Sequence, residues 1–135
     1  MKSFATSLLI ATALALPAMA QSSISSDSGR LIESYRAYIS QVDIMNSNGE
    51  TLTEAWQIIR QDRANYHRFH LMDAGDESDS FFASAANRQR MEAMLAQGSI
   101  EGEAAERILS GDAHIRVDIY GHGNVGERID VRVED

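Results

Sequence analysis

Two short runs near the C-terminus, Ile115 to Tyr120 and Arg128 to Val133, alternate apolar and polar residues. This period of two constrains the fold more than any other feature of the chain. Ile115, Val117 and Ile119 fall on one side of the first run and Ile129, Val131 and Val133 on one side of the second, so each reads as a half-buried strand. The glycine-rich GHGNVG between them, Gly121 to Gly126, reads as a hairpin loop. An isolated hairpin is marginal in water, so its apolar face must rest on other elements of the chain. The expected architecture is therefore α+β, with two to three helices packed on a small antiparallel sheet that has a C-terminal β-hairpin. The outer face suggests a register as well. Opposing Ile119 to Ile129 sets Arg116 against Arg132 and Asp118 against Asp130, and like charges placed opposite one another cost stability. Sliding by two residues opposes Arg116 to Asp130 and Asp118 to Arg128. That is the register expected, with a loop over 121–125.

Helical spacing is clearest in Leu52 to His70, where Leu52, Trp56, Ile59, Tyr66 and His70 lie along one stripe with Ala55 at its edge. Thr51 or Thr53 is the expected cap, with Glu54 adding early negative charge. A second helix is expected from Phe81 or Ala83 to Ala96, burying Phe82, Ala86, Met91, Met94 and Leu95 and ending at Gly98. A third is expected over Glu103 to Leu109, closing at Gly111. Leu31, Ile32, Tyr35, Tyr38, Ile39, Val42 and Met45 also fit a helical stripe. The Tyr, Ile and Val content of 38–45 fits a strand too, and for this segment the helix is the reading adopted. Asn46-Ser47-Asn48-Gly49 ends it in either case.

The first twenty residues read as an export signal. Lys2 gives a positive start, Leu8 to Leu16 a short apolar stretch, Pro17 a break, and Ala18-Met19-Ala20 a small-x-small cleavage pattern, with the cut expected between Ala20 and Gln21. The chain then divides into a signal over 1–20, a polar flexible segment over 21–30 and one α+β domain over 31–135. A periplasmic or secreted location follows, with no membrane span after cleavage.

There is no cysteine, which excludes disulfides, thiolate chemistry and a lipidated cysteine. The formal net charge is −8 and the only lysine is Lys2, so the remaining basic residues are all arginine. No basic run longer than Arg88-Gln89-Arg90 exists, so a nucleic-acid partner is not expected.

Candidate chemistry concentrates in Gln61 to His70. Arg63 falls on the apolar stripe of its helix, where an unpaired guanidinium is too costly to bury. In one reading Asp62, Arg63, Tyr66, His67 and His70 line a binding cleft, with Arg63 on an anionic group and a histidine as ligand or proton carrier. In the other, Arg63 caps carbonyls or pairs with Asp43, Asp73 or Asp76 and fixes how the helix docks. The second is preferred. His67 and His70, followed by Asp73, Asp76, Glu77 and Asp79, offer a possible divalent-metal set with His67, His70, Asp73 and Asp76 as its core. The spacing is not HExxH, however, and the acidic loop 73–80 lacks EF-hand order. GHGNVG is not a dinucleotide fingerprint, since a strand follows it, and no GxSxG nucleophile motif occurs.

Residues 46–70, NSNGETLTEAWQIIRQDRANYHRFH, resemble a set of small exported bacterial proteins of uncharacterised function that carry an NSxGxxL turn followed by a QDRANxHRF helix. The resemblance implies a coherent single domain and transfers no activity. The expectation is a non-catalytic binding or accessory protein of the cell envelope, with an unknown protein or small molecule as partner and no required cofactor. The alternatives are a metal-dependent or histidine-assisted enzyme centred on 62–70, or an interaction subunit of an envelope complex.

Overall fold

A computed structural model describes residues 29–135; the expected signal, its Ala20–Gln21 cut and most of the polar segment 21–30 lie outside the described residues. The fold is α+β. In chain order come β1 (Arg30–Ile39), α1 (Ala55–His67), a 3₁₀ turn (Phe81–Ala83), α2 (Ala85–Gln89), α3 (Met91–Gln97), β2 (Ser99–Ile100), α4 (Gly102–Ser110), β3 (Ala113–His122) and β4 (Val125–Val133). The four strands form one sheet in the order β1-β3-β4-β2. It is antiparallel except for the two-residue β2, which runs parallel to β4. No described helix is long and apolar enough to cross a membrane.

The helix expected over Leu31 to Met45 is instead strand β1 followed by a turn, and the expected flexible segment gives way to β1 at Arg30. Tyr35, Ala37 and Ile39 are buried while Arg36 between them is exposed and Tyr38 half-buried, which is a period of two along the strand. Pairing decides the matter. As a strand, this segment meets β3 along its whole length, from Arg30 opposite Gly121 to Ile39 opposite Ala113.

The outer edge of β1 is closed by carboxylates of the acidic loop. The Arg36 amide donates to Glu77 Oε2 at 2.9 Å, the Tyr38 amide donates to Asp76 Oδ1 at 2.8 Å, and the Glu77 amide donates back to the Arg36 carbonyl at 2.8 Å. An edge strand left bare would be open to pairing with another chain. The DAGDESDS segment therefore covers the sheet edge.

The hairpin forms in the register that charge disfavours. Ile119 opposes Ile129, Arg116 opposes Arg132 and Asp118 opposes Asp130. A bulge fixes it: past Tyr120 opposite Arg128, the pairing shifts so that Gly121 opposes Gly126. A Cβ on Gly126 would lie 2.4 Å from the Phe81 ring and 2.5 Å from Met94 Cε, and one on Gly121 would lie 1.9 Å from the Val125 carbonyl oxygen. Close packing at these two glycines holds the register, and the charges adjust. Asp118 accepts from Arg116 on its own strand at 3.0 Å and from Arg132 on the diagonal at 3.2 Å, while Arg128 bonds Asp130 on its own strand at 2.9 Å.

The inner sheet face packs against the helices, with Tyr35, Ile39, Val117, Ile119, Ile129 and Val131 meeting Ile58, Ile59, Phe82, Met91, Met94 and Ile108 in one core. The helix expected over Phe81 or Ala83 to Ala96 is broken into three pieces. Ser84 caps α2 by accepting from the Asn87 amide, Arg90 separates α2 from α3, and Ala86 is exposed rather than buried. Gly98 and Gly111 end α3 and α4 as expected.

Candidate functional site

Arg63 is the largest fully buried side chain among the described residues. Two turns of α1 carry Ile58, Ile59, Asp62 and Arg63 inward together, because positions three and four apart share a face. Its guanidinium lies 4.3 Å from the centre of the Tyr35 ring and 4.7 Å from that of Tyr66. Nε donates to Asp62 Oδ2 at 2.7 Å, and Nη1 donates to Asp79 Oδ1 at 3.0 Å and to the Glu77 carbonyl at 3.0 Å. Asp79 also accepts from the Phe82 amide at 2.5 Å and contacts His67 Nε2 at 2.8 Å. Burial pushes the Asp62 carboxyl up to about 7 against the opposing pull of Arg63. Burial likewise raises the Tyr35 hydroxyl well above its usual range, with Arg63 opposing.

This arrangement fastens α1 to the acidic loop and to β1. The acids that hold Arg63 are its neighbour Asp62 and the more distant Asp79, rather than Asp43, Asp73 or Asp76. Asp62 bonds Arg63, and Asp76 is spent on the Tyr38 and Asp73 amides. The proposed cleft of Asp62, Arg63, Tyr66, His67 and His70 is not open. Arg63 is wholly enclosed, Asp62 nearly so, and the His67 side chain is only 12% exposed. His70 lies outside the cluster, exposed, with a left-handed φ of 55°. Nor do His67, His70, Asp73 and Asp76 assemble. Among the described residues no group of three or more histidine or acidic side chains is placed to hold a metal ion.

A different surface is left unfilled. Of the large apolar side chains that stay exposed, Val42, Met45, Phe69, Leu71 and Met72 stand together, each 40–55% exposed. They flank two adjoining hollows of about 290 and 240 Å³ that share Val42, Asn65 and Leu71. Asn65 joins the two walls. Its side-chain nitrogen donates to Asp43 Oδ1 at 2.8 Å, and its carbonyl accepts from the Leu71 amide at 2.8 Å. Gln61 donates to its side-chain oxygen at 2.9 Å, and Asp43 Oδ2 accepts from the Ser40 amide at 2.9 Å. Burial raises the Asp43 carboxyl, although the Ser40 and Asn65 bonds oppose that rise. The bend at His70 turns Leu71 and Met72 back along α1, and a non-glycine residue keeps such a backbone only where its surroundings over-determine it.

None of these groove residues was singled out by the sequence, because Val42 and Met45 were absorbed into a helical stripe. Leu71-Met72, an apolar pair outside any periodic element and directly before an acidic loop, was the available signal. A separate hollow of about 350 Å³ lies between the acidic loop and the end of the hairpin, lined by Arg36, Gly75, His114 and Glu134. Its arginine is already held by Glu134 and Glu77. Comparison of the chain with protein-family models, with curated proteins and with solved structures finds no match.

Proposed function

We propose that this chain is a non-catalytic binding domain of the cell envelope whose groove, between 42–45 and 69–72, receives an apolar segment of a partner protein. The groove itself carries the reading: five exposed apolar side chains in one patch, over a floor of carboxamides, is the composition of a docking surface rather than of ordinary solvent-facing chain. Binding is favoured over catalysis because Asp62 and Arg63 are enclosed, and the buried polar atoms left without a partner, Tyr35 Oη and Arg63 Nη2 among them, face no solvent. The signal-like residues 1–20 support a periplasmic or secreted location. The NSxGxxL and QDRANxHRF segments support a place among the small exported bacterial proteins they resemble.

The test is photo-crosslinking in the native envelope from position 71, with position 127 as control; Glu127 lies in the hairpin, by the opposite end of β1. The expected result is one defined adduct from position 71 and none from 127. Affinity for that purified partner should fall at least tenfold in Leu71→Asp, about 1.4 kcal/mol. Equal adducts from both positions, no adduct, or unchanged affinity in Leu71→Asp would overturn the reading.

A further inference from the structure

The outer face of the sheet carries charge in rows. Arg36 opposes Arg116, which opposes Arg132, so three arginines line up across β1, β3 and β4. The next row holds Ser34, Asp118, Asp130 and Ser99. Tyr38 and His114 flank the arginine row on its other side, their rings 4.7 Å apart.

The local charges do not balance evenly. Arg36 has two carboxylates, Glu134 at 2.5 Å and Glu77 at 3.4 Å. Arg128 has Asp130 at 2.9 Å. Arg116 and Arg132 share one carboxylate, Asp118, at 3.0 and 3.2 Å. Burial alone would raise the Asp118 carboxyl, but the Ser34 hydroxyl and the two guanidiniums overcome this and hold it below the usual range, so it stays charged. The pair thus has one ion-paired carboxylate for two guanidiniums, and the surplus acid of the row is held by Arg36. Arg116 engages Asp118 through Nε and Arg132 through Nη1, which leaves N–H groups of both for another acceptor. Their side chains are 27% and 49% exposed, so a solute can reach them.

We propose that Arg116 and Arg132 form a binding site for one singly charged oxyacid group, a carboxylate or a phosphodiester, carried by a soluble ligand. The charge count asks for one negative charge. The planar forks of two arginines suit a group that presents two oxygens. Such a group would relieve the repulsion that the glycine-fixed register imposes across this pair.

The probes are sodium acetate and sodium dimethyl phosphate, titrated into the protein at constant ionic strength against sodium chloride, with amide and arginine Nε–H shifts followed by NMR. Saturable shifts at Ser34, Arg116, Asp118 and Arg132 are expected, with the stronger probe telling carboxylate from phosphodiester. Half-saturation should rise about fivefold in Arg132→Gln, from the loss of one partly exposed ion pair. Arg36→Gln should leave it unchanged, because Arg36 already has its own acids. A circular dichroism spectrum matching that of the parent protein shows that each variant is folded. Linear shifts equal to those with chloride, or the same half-saturation in Arg132→Gln, would overturn the proposal. So would flotation with phosphatidylglycerol vesicles, but not phosphatidylcholine vesicles, in the absence of any response to the soluble probes, because the site would then belong to a lipid surface.

Discussion

Arg63 and the Arg116–Arg132 pair place the same functional group in opposite circumstances. Arg63 is sealed in the core among two carboxylates, a backbone carbonyl and an aromatic ring on each of two sides, with Nη2 left without an acceptor. The surface pair has less, one carboxylate between two guanidiniums. The difference follows from solvent. A buried cation has no water to complete its shell, so every missing partner costs folding free energy. An exposed one is completed by water at little cost, and an under-supplied arrangement persists. The enclosed arginine, held by two carboxylates, is therefore a strut, and the exposed pair that shares one is free to bind.

The largest expected effect tests the strut. Arg63→Met leaves Asp62 and Asp79 buried without their cation and should lower unfolding free energy by about 3–5 kcal/mol in urea titration, a large part of the stability of a domain this size. A loss under about 1 kcal/mol would mean that Arg63 behaves like a surface ion pair, and the contrast would collapse. Arg63→Lys keeps the charge but not the planar fork. It should recover only part of the loss, since one ammonium cannot reach Asp62, Asp79 and the Glu77 carbonyl while lying between two rings.

Next in size is the register that created the surface pair. Gly126→Ala pushes a methyl group into Phe81 and Met94 and should cost about 1–3 kcal/mol as an overpacked core does. Cross-strand NOEs would show whether Ile119 still faces Ile129. If the hairpin instead slides to oppose Arg116 and Asp130 without loss of stability, close packing at the glycines does not set the register.

Both regions also show how far the chain can be read before its structure is known. The hairpin strands and α1 were legible because their periods, two and 3.6, are carried by local spacing alone. The register was not, since charge opposition favoured one pairing while the contacts of Gly121 and Gly126 with distant residues imposed another. β1 was misread because Ile32, Tyr35, Ile39 and Val42 fit a helical stripe while the strand's own period, Tyr35, Ala37 and Ile39, is short, and only the need of β3 for a second neighbour separates the two readings. Arg63 was legible as a buried charge that had to be paired. Its main distant partner, Asp79, was hidden inside a loop that looked uniformly solvated. The groove was illegible because its walls come from two segments joined through Asn65, a contact 22 residues apart in sequence.

Asp62 sharpens the contrast through pH. Its folded-state carboxyl, at about 7, lies above its ordinary value of 3.8, so the folded protein holds that proton more tightly than the unfolded chain does. Its contribution to stability is therefore full below about pH 4, declines as pH rises through the folded value and is gone above it. Thermal midpoints should rise as pH is lowered from about 8 to about 5, and Asp62→Asn should flatten that slope. Asp118, held low by its arginines, contributes with the opposite sign, but only in more acidic solution. A midpoint that falls between pH 8 and 5 in the parent protein and is unaltered by Asp62→Asn would show that Asp62 is charged in the folded protein, so that two carboxylates outnumber the single charge of Arg63.

The smallest effect concerns the surface pair in the absence of ligand, and there the sign matters more than the size. Removing one partner of an ordinary surface ion pair loses up to about 1 kcal/mol. Removing one of two like charges that face each other across a sheet gains a similar amount. For Arg132→Gln both changes happen together, because Asp118 keeps Arg116 and the Ser34 hydroxyl, at 3.0 and 2.6 Å, while the repulsion disappears. The net change in unfolding free energy should lie within about 0.5 kcal/mol of zero at low salt. It should become more destabilising as added sodium chloride screens the repulsion of the parent pair. A clear loss at low salt that shrinks with added salt would instead mark Arg132 as a net stabilising partner of Asp118. The pair would then be balanced like Arg63, with no charge left for a ligand to answer.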